Sequence, residues 1–408
     1  MSMSKQNYAA NAKLKICMFG QKRIPSREGG VEVVVEELAT RMAQQGHSVT
    51  CYNRGGHHVS GSAFDAEAVS KYKGVRLKTV PTIDKKGLAA VTSSFFAALC
   101  SAFGPYDVVH IHAEGPAAFC WLPKFFGKKV IVTIHGLDWQ REKWKGGFGS
   151  KYIHLGEKMA AKWADEIIVL NRKEQTYFKE TYGRNTIFIP NGVSRPERVQ
   201  ADLIKQEFGL EKDSYVLYLG RLVPEKGEHY LIKAFQQVKT DKKLVIAGGA
   251  SDTDAYMEQL KELAAGDERI VFTGFVQGRR LQELYSNAYV YVLPSDLEGM
   301  PLSLLEAMSY GNCCLTSDIP ECAEVIGNHG VTFQKSNVED LQLQLQKLCD
   351  QPQMVLDYKR RAADYICRKY DWDVIVQQTL YLYENNLVTS TQPGKGEESV
   401  WKENIMAQ

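Results

Sequence analysis

Short apolar runs alternate with longer segments of helical spacing along almost the whole chain. Lys15–Phe19 reads as a buried strand. Val31–Gln45 follows, with apolar residues at 31, 34, 35, 38 and 42, a helical repeat stopped by Gly46. Strand-like runs recur at Ser48–Tyr52, Val75–Val80, Val108–Ile111, Val130–Ile134, Glu166–Leu170 and Thr186–Ile189, with helical patterns between most of them. A turn at Ile189-Pro-Asn-Gly192-Val193 and the polar stretch Ser194–Gln200 predict a linker. A second alternation runs through Tyr215–Leu219, Leu244–Ala247, Ile270–Thr273, Tyr289–Leu293, Cys313–Thr316 and Val331–Phe333. Strand–helix alternation of this kind predicts an α/β protein with two doubly wound parallel sheets, one per half. Such sheets bind ligands beyond the carboxyl ends of their strands, and two of them leave a cleft between. Helical spacing continues from Gln353 to about Asn386. The polar tail from Val388 reads as disordered.

Composition narrows the function. The 408 residues suffice for two cores. A net charge of +2 gives no global field for nucleic acid. The nine Cys are scattered without a Cys-x-x-Cys, which suits reduced, buried thiols better than disulfides or zinc. No stretch is long and apolar enough for a bilayer span, and residues 1–12 lack a signal-peptide core, so a cytoplasmic location is expected.

The most informative stretch is Pro294-Ser-Asp-Leu-Glu298-Gly299-Met300-Pro301-Leu302-Ser303-Leu-Leu-Glu306 through Gly311. A buried strand enters a loop with a carboxylate. A helix is then expected from Pro301, with Gly311 past its end. Proline has no N–H, so Leu302 and Ser303 offer the first free backbone donors at the positive end of the helix, a site for a phosphate. Glu306 lies on the same face, about 5–6 Å further along, within reach of a ribose attached to that phosphate. In a helix apolar nearly all round, a carboxylate is expensive without a partner.

Three other strand ends carry chemistry. Gly29-Gly30-Val31-Glu32 opens a helix after the first strand, where glycines let backbone N–H groups approach a ligand. The order is not Gly-x-Gly-x-x-Gly, and no acid ends the second strand, which argues against a nicotinamide dehydrogenase. Gly220-Arg221 and Lys226 follow the first strand of the second half. Two cations there can stabilise a leaving diphosphate. His135, before Gly136, ends an apolar strand and could meet a sugar hydroxyl. His110 and His112 share one strand face without a third metal ligand and read as packing. The pairs Asp252/Asp254 and Asp371/Asp373 read as structural, so no metal is expected.

Together these motifs resemble glycosyltransferase family 4, the retaining GT-B enzymes, over about residues 14–387. The Glu298/Glu306 pair with its Gly-Met-Pro-Leu-Ser insert is the specific part. The resemblance implies two Rossmann-like domains facing across a cleft. An acceptor-side domain would span 13–195, completed by a helix at about 371–387 that crosses back, and a donor-binding domain would span 196–370. It implies that Glu306 binds the ribose, Glu298 faces the donor sugar, and Arg221 and Lys226 neutralise the diphosphate. Backbone at Gly30, Leu302 and Ser303 would hold phosphate oxygens, with Gly29, Gly220, Gly299 and Met300 also lining the donor site, and His135 would lie near the reacting carbon. No cofactor is implied. The donor would be a nucleoside-diphosphate hexose or deoxyhexose, with UDP the default and dTDP or GDP alternatives.

The N-terminal half is similar to enzymes of bacterial surface-polysaccharide (capsule-type) assembly, which implies a glycan or lipid-linked acceptor. It also implies peripheral contact with the inner membrane face. The aromatic and basic segment 139–152 would suit that contact or, equally, an acceptor loop over the cleft. Leu88–Phe103 is a second apolar helix, explained more simply by core packing. The rival readings are a nucleotide-sugar epimerase, a phosphorylase, or a non-catalytic nucleotide-sugar scaffold.

Overall fold

The computed structural model describes residues 13–57, 61, 64, 69–85, 87–140, 148–249 and 254–385. The first half contributes β1 (Lys15–Phe19), β2 (Ser48–Arg54), β3 (Lys71–Tyr72), β4 (Val75–Val80), β5 (Val108–His112), β6 (Lys129–Ile134), β7 (Glu166–Val169) and β8 (Ile187–Phe188), in the sheet order β3-β4-β2-β1-β5-β6-β7-β8. The second half contributes β9 (Tyr215–Leu219), β10 (Lys243–Ala247), β11 (Ile270–Gly274), β12 (Val290–Leu293), β13 (Cys313–Ser317) and β14 (Val331–Phe333), ordered β11-β10-β9-β12-β13-β14. Every pairing is parallel except the short β3–β4 ribbon. Helices cover both faces of each sheet. The central strands β5, β6 and β12 are therefore buried along their whole length, which is why they read as largely apolar runs, with the polar residues of β5 and β6 buried as well. This is the GT-B architecture expected from the sequence.

Strand order reverses between β1 and β5 in one sheet and between β9 and β12 in the other. At each reversal the following loops diverge and leave a crevice. The two crevices face each other.

The last helix, Trp372–Glu384, returns to the N-terminal sheet. Trp372, Ile375, Val376, Leu380 and Tyr383 join the core of Ile16, Met18, Val35 and Leu38. Gly192 is needed where the chain passes this helix, because a Cβ there would lie 2.5 Å from the Trp372 ring.

Several expectations change in detail. The C-terminal helical run is two helices, Pro352–Lys369 and Trp372–Glu384, because Asp371 leaves helical geometry to cap the second. Its carboxylate accepts from Asp373 N–H at 2.7 Å, a structural role as expected. Asp252 lies outside the described residues. Pro301 is the cap of its helix rather than its first residue, and that helix runs Leu302–Ser309. All nine thiols are free, and six are buried; Cys100 is exposed, and Cys349 and Cys367 are half-buried. Helix Leu88–Phe103 is only partly core: Ser93, Ser94, Ala97, Ala98, Ser101 and Ala102 are buried, whereas Leu88, Phe95 and Phe103 are exposed. Among the described residues no helix is long and apolar enough to cross a membrane.

Candidate active site in the interdomain cleft

The loops after β9 and β12 meet at the C-terminal crevice. After β9 the chain passes Gly220 and Arg221 and makes a single turn, Pro224–Lys226, ending at Gly227. Gly227 has φ +73°, and a Cβ there would lie 2.1 Å from the Pro294 carbonyl oxygen, so only glycine allows this approach. Asp296 N–H donates to the Glu225 carbonyl at 2.9 Å and fastens the two loops. Their side chains then pair: Lys226 Nζ lies 2.5 Å from Glu298 Oε1, which also accepts from Ser295 Oγ at 2.7 Å. The Lys226 and Glu298 side chains are 16% and 7% exposed, which leaves them a narrow outlet to the cleft.

Helix Leu302–Ser309 begins one loop later. The Pro301 carbonyl accepts from Leu304 and Leu305, so the Leu302 and Ser303 N–H groups precede the ladder. Glu306 lies on the open side of this helix. Its Oε2 accepts from Tyr285 O–H at 3.2 Å, and its Oε1 pairs with Arg27 Nη1 of the other domain at 2.5 Å. Tyr291 O–H donates to Ser303 Oγ at 2.8 Å and fixes the helix start against the sheet.

The N-terminal domain supplies the opposite wall. Gly29 and Gly30 open helix Gly30–Gln44, as expected, and a Cβ on Gly30 would lie 3.3 Å from Leu302 Cδ1. Lys22, just after β1, has its ammonium lowered from the usual range, first by burial. Glu32 and Glu28 oppose that shift, while Arg221 across the cleft adds to it. Arg54 of the same domain adds to it as well, and Glu28, 4.0 Å from the Lys22 ammonium, is its ion-pair partner.

His135 follows β6, and its carbonyl is the reason residue 299 is glycine: a Cβ there would lie 2.4 Å away. The loop is clamped from the same side. Asn171 Nδ2 donates to the Gly299 carbonyl at 3.0 Å, and Asn191 N–H approaches Met300 Sδ at 3.0 Å. A small open pocket lies here, lined by Gly136, Leu137, Asn171, Glu174, Glu298 and Gly299 among others. Burial pushes the Glu174 carboxyl up to about 7.

Behind His135 stand two more imidazoles. His112 Nδ1 and His135 Nε2 share a hydrogen bond at 3.1 Å. The His110 ring centroid lies 4.1 Å from that of His112, and His110 Nδ1 meets Tyr383 O–H at 2.5 Å. Burial pushes His110 down to about 3 and His112 well below its ordinary value. Both are therefore neutral at pH 7. His110 is packing, as expected, whereas His112 orients the cleft histidine.

These shifts set a pH dependence. Above about pH 6.5 folded and unfolded histidines are both neutral. Below it the unfolded chain takes up protons that the buried rings refuse, costing about 1.4 kcal/mol per pH unit for each ring. Glu174 and Glu228, both held near 7 by burial, act in the opposite sense, so the informative comparison is with a variant. Between pH 7 and 5, His112→Gln is expected to lose about 2 kcal/mol less unfolding free energy than the wild type. Urea titrations at both pH values measure this, and equal losses refute the neutral His112.

Sequence reasoning placed Arg221, Lys226, Glu298 and Glu306 around one crevice, and the structure brings them there. It missed Lys22, Arg27, Asn171, Asn191, Ser295 and Tyr285. Asn171 was findable: Asn171-x-x-Glu174 is a capping box, with Asn171 Oδ1 accepting from Glu174 N–H at 2.9 Å. The segment 141–147 lies outside the described residues. Among the described residues no group of three or more His, Cys, Asp or Glu could hold a metal ion.

The chain is similar to known proteins over most of its length. The family model described as Glycosyltransferase Family 4 matches residues 28–195, and that described as Glycosyl transferases group 1 matches residues 200–365. An uncharacterized glycosyltransferase of Methanocaldococcus jannaschii is 24% identical over 91% of this chain and 98% of its own. The O-antigen chain mannosyltransferase B of Escherichia coli is 28% identical over 44% of this chain and 48% of its own. Among solved structures, sucrose-phosphate synthase from Thermosynechococcus elongatus superposes with a TM-score of 0.76 at 19% identity, covering 92% of this chain and 100% of that one. Anabaena HepE in complex with UDP-glucose gives 0.75 at 17% identity, covering 90% and 99%.

Proposed function

The chain belongs to glycosyltransferase family 4, and from that premise we propose that it moves a hexosyl or deoxyhexosyl unit from a nucleoside-diphosphate sugar to a glycan or lipid-linked glycan, with retention of configuration, in the assembly of a surface polysaccharide. The observation that carries this reading is the convergence at one crevice of Lys226 with Glu298, the unladdered N–H groups of Leu302 and Ser303, and Glu306. Their chemistries match the successive parts of one ligand.

In this reading Glu306 accepts from the ribose hydroxyls. The helix start holds a phosphate, assisted by the backbone at Gly29 and Gly30. Arg221 and Lys226 stabilise the diphosphate as its bond to the sugar breaks, the step where charge develops. Lys22 adds a cation from the other wall. Glu298, steered by Ser295 and Lys226, faces the donor sugar, and Gly299 and Met300 line its pocket. His135, oriented by His112, lies beside the reacting carbon. In this reading the acceptor oxygen bonds to the anomeric carbon on the same face from which the diphosphate departs, and the leaving phosphate takes the acceptor's proton as its own bond to that carbon breaks; attack and departure on one face give retention.

UDP is the first nucleotide to test, since a protein of this fold holds UDP-glucose and relatives act on O-antigen and undecaprenol-linked glycans. Thermal shift against UDP, dTDP and GDP is expected to raise the melting temperature by a few degrees for one of them. Saturation at 100 times Kd stabilises by about 2.7 kcal/mol. The matching sugar nucleotide should then be consumed only with acceptor present, and proton NMR of the product gives its anomer. No shift with any nucleotide removes the donor assignment; an inverted product removes retention.

A further inference from the structure

We infer that Glu228, acting through Tyr218, is a proton-dependent positioning residue for Arg221: the protonated carboxyl lets Tyr218 hold the Arg221 carbonyl, and the ionised carboxylate withdraws that hold. Its role depends on the transferase reading above, in which Arg221 stabilises the diphosphate.

One buried hydroxyl here has more acceptors than protons. Tyr218 O–H lies 2.6 Å from Glu228 Oε1 and 3.1 Å from the Arg221 carbonyl oxygen, and it has a single proton to give. Facing a carboxylate, Tyr218 donates to it, the stronger acceptor, and Arg221 loses this donor. Facing a protonated carboxyl, Tyr218 accepts from Glu228 and donates onward to Arg221. The other carboxyl oxygen extends the chain: Tyr256 O–H donates to Oε2 at 3.1 Å, and His229 Nδ1 lies 2.7 Å from the Tyr256 hydroxyl. With His229 in its Nδ1–H tautomer, each donor from His229 to the Arg221 carbonyl then has one acceptor. The carbonyl so reached lies between two backbone clamps, Gly220 N–H to the Ala247 carbonyl at 3.0 Å and Leu222 N–H to the Gly249 carbonyl at 3.1 Å.

The surroundings keep this proton within working range. Glu228 is fully buried at the start of helix Glu228–Gln236. Among the described residues no cation pairs with it; Lys226, two positions before, is paired with Glu298 instead. Tyr218 faces it from β9 and Tyr256 from helix Asp254–Ala264, with His229 beside Tyr256. Tyr291 and Glu298 act on Tyr218 from β12 and its loop. Helix Val338–Asp350, which also packs on this helix, buries Leu341, Leu345 and Leu348. Burial pushes the carboxyl up to about 7, against the hydrogen bonds from Tyr218, its own backbone N–H and Tyr256 and the charge of Lys226. A diphosphate beside Arg221 and Lys226 brings further negative charge near the carboxyl and raises it again, so donor binding near pH 7 takes up a proton.

Titration calorimetry with UDP, or with dTDP or GDP where UDP is silent, tests the proposal on the full chain at about pH 6 and about pH 8. Glu228→Gln keeps the chain in its protonated arrangement, because the amide N–H donates to Tyr218 and the amide oxygen accepts from Tyr256. Ionisation of the nucleotide itself affects both proteins alike. From the lower to the higher pH the wild type is expected to lose about fivefold more affinity than Glu228→Gln, the linkage for a carboxyl raised by about one unit on binding. Tyr218→Phe, which cuts the chain before Arg221, is expected to bind about fivefold more weakly than the wild type already at the lower pH. Melting temperatures show that each variant is folded, and the Glu228→Gln comparison decides the matter alone if the Phe variant is not. Parallel losses in the wild type and Glu228→Gln overturn the inference and leave the transferase reading standing. Full affinity of a folded Tyr218→Phe at the lower pH overturns the route through Tyr218. Absence of binding to all three nucleotides by the folded wild type removes the donor reading and this inference together.

Discussion

Lys226→Ala is expected to lower turnover by about 10²–10³-fold while changing the donor KM far less. The ammonium is held before the substrate arrives: by the turn Pro224–Lys226, by the contact that only Gly227 permits with Pro294, and by Glu298 Oε1 at 2.5 Å. A cation so fixed needs no reorganisation when the diphosphate leaves, so its effect is largest in the transition state. Alanine has a second consequence. It strips Glu298, only 7% exposed, of its counter-charge and leaves Ser295 as its remaining hydrogen-bond donor among the contacts described here. The double variant Lys226→Met with Glu298→Gln separates the effects: melting temperature should recover, whereas turnover should not. Initial rates across donor concentration decide the matter. A raised KM with unchanged kcat would confine Lys226 to ground-state binding.

Glu306→Ala is expected to raise the donor KM by about 10²-fold with kcat nearly unchanged. A carboxylate accepting from both ribose hydroxyls makes two charge-assisted hydrogen bonds of about 1.5–3 kcal/mol each, and 1.4 kcal/mol is tenfold in affinity. Glu306→Gln, which keeps one acceptor, should lose about tenfold. Without ligand the carboxylate is paired with Arg27, whose side chain is 43% exposed, and a pair so open to solvent is worth at most about 1 kcal/mol. The donor can therefore displace it at small cost. Isothermal titration with the nucleoside diphosphate measures the change directly; unaltered affinity in the alanine variant would remove the ribose role.

Local periodicity and punctuation made much of this legible. Strands β1 and β9 fall at their expected residues, because a parallel strand buried on both faces must be a short apolar run between polar loops. Residues at strand ends were equally readable, since doubly wound sheets bind at carboxyl ends whatever the ligand. That is why Arg221, Lys226, Glu298 and Glu306 could be chosen from spacing, with family resemblance supplying their roles. Boundaries were less secure where caps decide them. Pro301 leaves the helix because its ψ of 98° is extended, and no local signal separated the cap from the first helical position.

What only the tertiary structure decided are the contacts made by residues far apart in sequence. Arg27 with Glu306 is separated by 279 positions, and His110 with Tyr383 by 273. No periodicity encodes such pairs; they follow from the return of the last helix and from the facing of two crevices. The exposed side of Leu88–Phe103 belongs to the same class. A helix apolar all round is consistent with a core from sequence alone. Its neighbours cover one face and leave Phe95 and Phe103 bare, and this is a fact of packing. The chain's alphabet therefore determined the two sheets and which polar residues stand at their strand ends, because both depend on local pattern. Which cation meets which carboxylate, and which apolar face stays uncovered, was decided by the assembled fold, because each depends on what another segment brings alongside.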